Sequence, residues 1–247
     1  MQFLEWSIAD DQLEGLIRRE ELEKRLVKRS IEEEITGLVD IDGERVEELL
    51  QQFREQHNLS DEQQLSTWLK QRQWSEDDLR IHVNRPEALH RFAKQRFGPG
   101  LEEHFLQRKA KLDSVLYSLL RVRDPGLAQE LWIQISEGEI NFADAAGQHS
   151  DGPEAASRGL IGPVALGDLQ PELSDRLRTL QQGDIRPPER LGPWFVLLRL
   201  EKLNHARLDD AMRKRLLTEQ MDTWLQARAD SLLKGEQPEE LHYDSAP

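Results

Sequence analysis

Val115-Leu-Tyr-Ser-Leu-Leu-Arg-Val122, stopped by Asp124-Pro125, is the stretch on which the fold turns. It is apolar, contains β-branched and aromatic residues, and ends at a turn signal, so it reads as a buried strand. Its counterpart is Trp194-Phe-Val-Leu-Leu-Arg-Leu200, a second strongly apolar run. Between the two, turn formers crowd together: nine of the 15 glycines and seven of the 11 prolines fall between Pro125 and Pro193. Such dense punctuation cuts a chain into short elements, while its absence permits long helices. Leu127, Leu131, Trp132 and Ile135 predict a helix ending at Gly138, and Phe142, Ala145 and Ala146 a short one. A loop is expected from His149 to Gly162. Leu169, Leu173, Leu177 and Leu180 step by four and three, predicting a helix that ends at Gly183. With a short strand near Gly183–Arg186, the order over 113–202 is β-α-α-loop-α-β-β.

Outward from this zone the chain is nearly free of glycine and proline and dense in Glu, Gln, Lys, Arg and Leu. Leu13, Leu16, Ile17, Leu22, Leu26, Ile31 and Ile35 predict one long helix with a single apolar face. Glu20–Lys24 and Glu21–Arg25 are i,i+4 pairs in the favourable order. A second helix is expected from about Glu44, with Val46, Leu49, Leu50 and Phe53 on one side. Ser60-Asp-Glu-Gln63 and Ser75-Glu-Asp-Asp78 carry capping-box patterns that should start two more. Pro86 lacks an amide proton and should break or kink the latter. The pattern resumes through Leu89, Phe92, Ala93 and Phe97, and Gly98-Pro99-Gly100 punctuates before Leu101 and Phe105. At the far end Leu208, Ala211, Leu216, Met221, Trp224, Leu225 and Leu232 predict one helix over about 206–234. Residues 235–247 read as a flexible tail.

The 247 residues hold 33 Lys+Arg against 47 Asp+Glu, a formal charge of −14. Bulk charge of that sign argues against nucleic acid and anionic lipid as partners. There are no cysteines, which excludes disulfides, thiolate catalysis and cysteine-ligated metals. The seven histidines show no His-x-x-x-His spacing, and no P-loop or dinucleotide-binding glycine pattern occurs, so no metal and no cofactor is expected. No apolar run approaches the roughly 20 residues of a membrane span, so no membrane insertion is expected. Met1-Gln2-Phe3-Leu4-Glu5-Trp6 has no basic stretch of the kind that opens an export signal, and the expectation is a cytoplasmic protein.

An ordered string of short motifs narrows the reading. Ser118-Leu-Leu-Arg-Val122 is followed by Ala128-Gln-Glu-Leu131, Gly138-Glu-Ile-Asn-Phe142, His149-Ser150-Asp151, Gly159-Leu-Ile-Gly162-Pro, Leu169-Gln-Pro171-Glu-Leu173 and Gly183-Asp-Ile-Arg-Pro187-Pro. It closes with Gly192-Pro-Trp-Phe-Val-Leu-Leu-Arg-Leu200. In this order the middle zone resembles the parvulin (PpiC-type) peptidyl-prolyl isomerases. The flanks resemble SurA-type chaperone–isomerases, through Trp68-Leu69…Trp74-Ser75-Glu-Asp-Asp-Leu79-Arg80, Phe97-Gly-Pro-Gly-Leu101-Glu-Glu-His104-Phe105 and the Trp224 helix.

The resemblance implies an α+β protein. A helical module (residues 1–112, closed by a C-terminal helix at 203–234) would surround an inserted β-α-α-α-β-β isomerase domain at 113–202. It implies proline-containing or unfolded polypeptides as clients and leaves the oligomeric state open. Matching positions put Ile161, Leu169 and Leu173 in the family's apolar proline pocket. Leucines at such spacing usually serve a core, and only the resemblance assigns them to a pocket. The polar positions depart from the family: its first-strand histidine falls on Ser118, its last-strand histidine on Trp194, its loop cysteine or aspartate on Gly152 or Asp151, and a frequent serine or threonine on Leu191. Trp194 either covers a proline ring or fills the pocket. The expectation is therefore a parvulin-like isomerase and folding chaperone with weak catalysis. The alternative is a non-catalytic peptide-binding chaperone or an adaptor for peptide maturation or export. Most of the acid surplus lies on the helical flanks, so clients bound there should be basic or neutral.

Overall fold

The computed structural model describes residues 2–3, 6–7 and 9–244. Met1, Leu4 and Glu5 of the opening stretch and residues 245–247 of the expected tail lie outside the described residues. Two short strands, β1 (Gln2–Phe3) and β2 (Trp6–Ser7), pair antiparallel. Helices α1 (Asp10–Arg19), α2 (Glu23–Leu38), α3 (Gly43–Gln56), α4 (Glu62–Arg72) and α5 (Glu76–Phe97) follow, and a 3-10 turn at Gly98–Gly100 leads into α6 (Leu101–Leu112).

The single long helix expected over 13–35 is two helices. Glu21 takes a left-handed conformation (φ 54°), which ends α1 without glycine or proline. The reverse holds at Pro86: α5 runs through it uninterrupted. A proline inside a helix costs about 3 kcal/mol. Here Val83, Ala88, Phe92 and Ala93 bury the helix on both sides of the ring. Ser75 caps α5 as expected, accepting from the Asp78 amide while Asp78 accepts from the Ser75 amide. At α4 the cap is Asp61, which accepts from the Gln64 amide at 2.8 Å, rather than Ser60.

Next come β3 (Ser114–Val122), α7 (Pro125–Ser136), α8 (Phe142–His149), a 3-10 turn at Pro153–Ser157, β4 (Leu160–Ala165), a 3-10 turn at Leu166–Asp168 and α9 (Pro171–Arg178). Then β5 (Glu189–Leu191), β6 (Trp194–Asn204) and α10 (Asp210–Leu233) complete the chain. The expected loop at 149–162 thus contains a 3-10 turn and the start of a strand. The expected strand at 183–186 is a lone bridge, Ile185 to Arg199; β5 lies a few residues further on. Beyond α10 the chain is irregular, yet Leu241 is buried, so the expected flexible tail is anchored at that point.

The chain divides into two compact units, residues 1–102 with 209–247, and residues 103–208. In the first, α10 packs on α2 and α5, burying Ile31, Ile35, Phe92, Leu216, Met221 and Leu225. Lys24–Asp230 (2.6 Å) and Lys28–Asp222 (3.0 Å) flank the seam between α2 and α10, and Phe92 stacks at 5.6 Å on Trp224.

In the second unit the sheet order is β4-β3-β6-β5, antiparallel throughout. Side chains alternate between faces. One face takes Leu120, Val122 and Leu197 and is covered by α7 and α8 through Ala128, Leu131, Phe142, Ala145 and Ala146. The other takes Tyr117, Leu119, Val196, Leu198 and Leu200 and is covered by α9 through Leu173 and Leu177.

Candidate functional site

The α9 face of the sheet is not fully covered. Tyr117, Leu119, Val196 and Leu198 are buried, but Ile161, Leu169, Leu191 and Trp194 at its margin are only half-buried. Ile161 reaches this margin because β4 pairs it with Tyr117, and Trp194 because it opens β6 opposite Leu191. Leu169 stands just before α9, whose Leu173 is 9% exposed and belongs to the core. The structure thus brings Ile161, Leu169, Leu173 and Trp194 to one apolar cluster. The Arg123 guanidinium lies 5.0 Å from the Trp194 ring, a cation–π contact that holds the indole at the rim.

Ser118 and Asp151 are not part of that cluster. Ser118 pairs with Arg199, whose guanidinium lies over Phe142 on the α7–α8 face, and its hydroxyl donates to Glu201. The β3 residue on the open face is its neighbour Tyr117. Burial pushes the Tyr117 phenol above the usual tyrosine range; Arg121 pulls it down and Glu154 up. It is therefore neutral at ordinary pH. Asp151 is exposed, and its backbone amide donates to the Arg121 carbonyl at 2.9 Å.

What organises this loop is an ion pair between residues far apart in sequence. Arg121 donates twice to Glu154, from Nε at 2.8 Å and Nη2 at 2.6 Å, and Ser150 Oγ donates to the same carboxylate. The Glu154 side chain is 1% exposed and that of Arg121 27%. Burial raises the Glu154 pKa, but the bonds from Arg121 and Ser150 outweigh it and hold the carboxyl below its ordinary value. Gly152 lies against this pair, and a Cβ there would overlap both the Glu154 carboxylate and the Arg121 guanidinium. The ion pair occupies the space that a side chain at this position would need. Gly159 is held at φ 87° with Leu119 O and Ala146 Cβ within 3 Å of where its own Cβ would be, so only glycine fits where the loop rejoins the sheet.

Among the described residues no group of three or more His, Asp or Glu side chains is placed to hold a metal ion. Among the same residues no helix is long and apolar enough to cross a membrane.

Residues 125–202 match the PPIC-type PPIase domain, a rotamase family. The match runs from α7 into β6 within the second unit, under a third of the chain, and defines that segment as parvulin-like. Among curated proteins the chain is similar to Chaperone SurA of Shewanella sp., 28% identical over 128 residues, 47% of this chain and 30% of that protein. It is also similar to Foldase protein PrsA of Halalkalibacterium halodurans, 22% identical over 224 residues, 86% of this chain and 67% of that one. The chain therefore spans less than a third of the Shewanella chaperone. Among solved structures, the peptidylprolyl isomerase PrsA of Bacillus cereus superposes with a TM-score of 0.50 at 17% identity, covering 97% of this chain and 92% of that one. That likeness speaks to the fold.

Proposed function

We propose that the chain is a parvulin-like peptidyl-prolyl isomerase and folding chaperone acting on proline-containing polypeptides, with weak catalysis. The observation that carries this reading is the half-open apolar margin of Ile161, Leu169 and Trp194 beside Leu173, within the segment that matches the rotamase family. Rotating an X–Pro amide means crossing a barrier of roughly 18–20 kcal/mol set by resonance. No bond to another atom is made. An apolar surface that takes the proline ring and desolvates the amide favours the twisted form, in which charge separation is lost, over the planar one. Tyr117 rather than Ser118 is then the β3 residue that faces the bound ring. In the same proposal, residues 1–112 with the helix at 203–234 are the chaperone module, residues 113–202 are the isomerase domain, and the location is cytoplasmic, which cell fractionation tests.

A second reading is a non-catalytic peptide-binding chaperone or adaptor. It is favoured by the residues facing the cluster: a neutral buried phenol at Tyr117 and an indole at Trp194, neither of which takes up a proton at neutral pH. NMR exchange spectroscopy on an X–Pro peptide separates the two. Faster cis–trans exchange at substoichiometric protein supports the isomerase. Binding with no acceleration at stoichiometric protein, together with delayed aggregation of an unfolded client, supports the chaperone.

A further inference from the structure

The helical unit contains a cavity of about 600 Å³ between the end of α5 and the start of α10, within the size range of ligand sites. Its polar wall is His90, Lys94, Arg213 and Lys214 with Asp210 the one acid, and its apolar wall includes Leu101 and Leu217. Through His90 and Lys214 it continues into a second cavity of about 260 Å³, floored by Leu89, Ala93, Met221 and Leu225.

Some cations of this unit are paired and others are not, but here three unpaired ones converge on one cavity. Lys24, Lys28, Arg29, Arg45, Arg54 and Arg91 each have an acidic partner within 4 Å. The side chains of Lys94, Arg213 and Lys214 have none among the described residues, in a chain with 47 acids to 33 bases. At the far end of the groove the acids are already neutralised, Asp222 by Lys28 and Glu32 by Arg29. The groove is thus cationic at one end and apolar along its floor. Charges beyond about 8–10 Å are screened at physiological salt, so this local excess, not the net −14, sets what binds.

We propose that the α5–α10 groove binds acidic, apolar polypeptide segments, with carboxylates against Lys94, Arg213 and Lys214 and apolar side chains on the Leu217 and Met221 floor. An inorganic anion would satisfy the cations and leave the floor wet. A fatty acid brings one carboxylate to three cations. A peptide with spaced carboxylates and large apolar side chains matches both. This site is independent of the isomerase reading, and it reverses locally the preference for basic clients that the flanking charge suggests.

The test is fluorescence anisotropy of the full chain with a short, proline-free fluorescein-labelled peptide of glutamates among leucines and phenylalanines, against its twin with glutamine for glutamate. The acidic peptide should bind at least about tenfold more tightly, and Lys94→Glu with Lys214→Glu should abolish that preference while circular dichroism shows the variant folded. Should the double variant unfold, Lys94→Gln must itself weaken the acidic peptide selectively. Equal affinity for the twins, no change in a folded variant, or full displacement by millimolar phosphate or by equimolar oleate would overturn the proposal. Because the peptide lacks proline, any of these results leaves X–Pro exchange to be judged separately.

Discussion

The two faces of the four-stranded sheet differ in a way that separates core from site. On the α7–α8 face, Leu120, Leu197, Ala128, Phe142, Ala145 and Ala146 are all at 0% exposure, and of the half-buried residues packed against them Leu127, Trp132 and Ile135 lie on the covering helix α7 itself, with Phe195 at the start of β6. On the α9 face the centre is equally closed, but the half-buried margin lies mostly on the sheet, with Ile161 on β4, Leu191 on β5 and Trp194 on β6, and Leu169 just before α9. Adjacent strand residues belong to opposite faces, so a shift of one position along β3 moves a residue from one environment to the other. Ser118 and Tyr117 differ by that single step.

The sharpest contrast should come from Leu197→Ala on the closed face. It removes a fully buried side chain and should cost about 3–4 kcal/mol, read as a lower denaturant midpoint with unchanged slope. Next is Arg121→Met, which leaves the buried Glu154 carboxylate without its partly exposed partner and should cost about 3 kcal/mol. Its pH dependence is specific. Glu154 is held below its ordinary value of 4.5, so the stability it confers is present above that value. It is lost as pH falls through the folded-state pKa. Glu154→Gln should therefore flatten stability against pH on the acid side.

On the open face the balance should invert. Leu169→Ala should cost only about 1 kcal/mol of stability, because the side chain is half-buried, while weakening an X–Pro peptide about tenfold in titration. The smallest effect is expected for Ser118→Ala: about 1 kcal/mol from the lost hydrogen bond to Glu201, with peptide affinity unchanged. A large loss of affinity in Ser118→Ala would mean the two faces have been assigned the wrong way round.

Much of this was legible in the sequence. The uneven glycine and proline distribution marked the mixed zone, and the two apolar runs became its central strands. The resemblance groups Ile161, Leu169, Leu173 and Trp194, and the four share one cluster. The errors have physical causes. Aligning β3 on its Leu-Leu pair leaves a one-residue ambiguity that only pairing with β6 resolves. The Arg121–Glu154 bond spans 33 positions, and neither residue advertises a buried partner. β4 does not show in the sequence pattern because Gly162 and Pro163 interrupt it, as edge strands allow. The α1–α2 break rests on one left-handed glutamate, and Pro86 sits inside a helix held by burial on either side of it.

Methyl-resolved NMR during titration with a short X–Pro peptide tests the central claim most directly. Ile161 and Leu169 methyls should shift first and furthest, with Leu120 and Leu197 unmoved. Shifts centred on Leu120 and Leu197, or no shift at Ile161 and Leu169 while the peptide binds, would contradict the placement of the site on the α9 face.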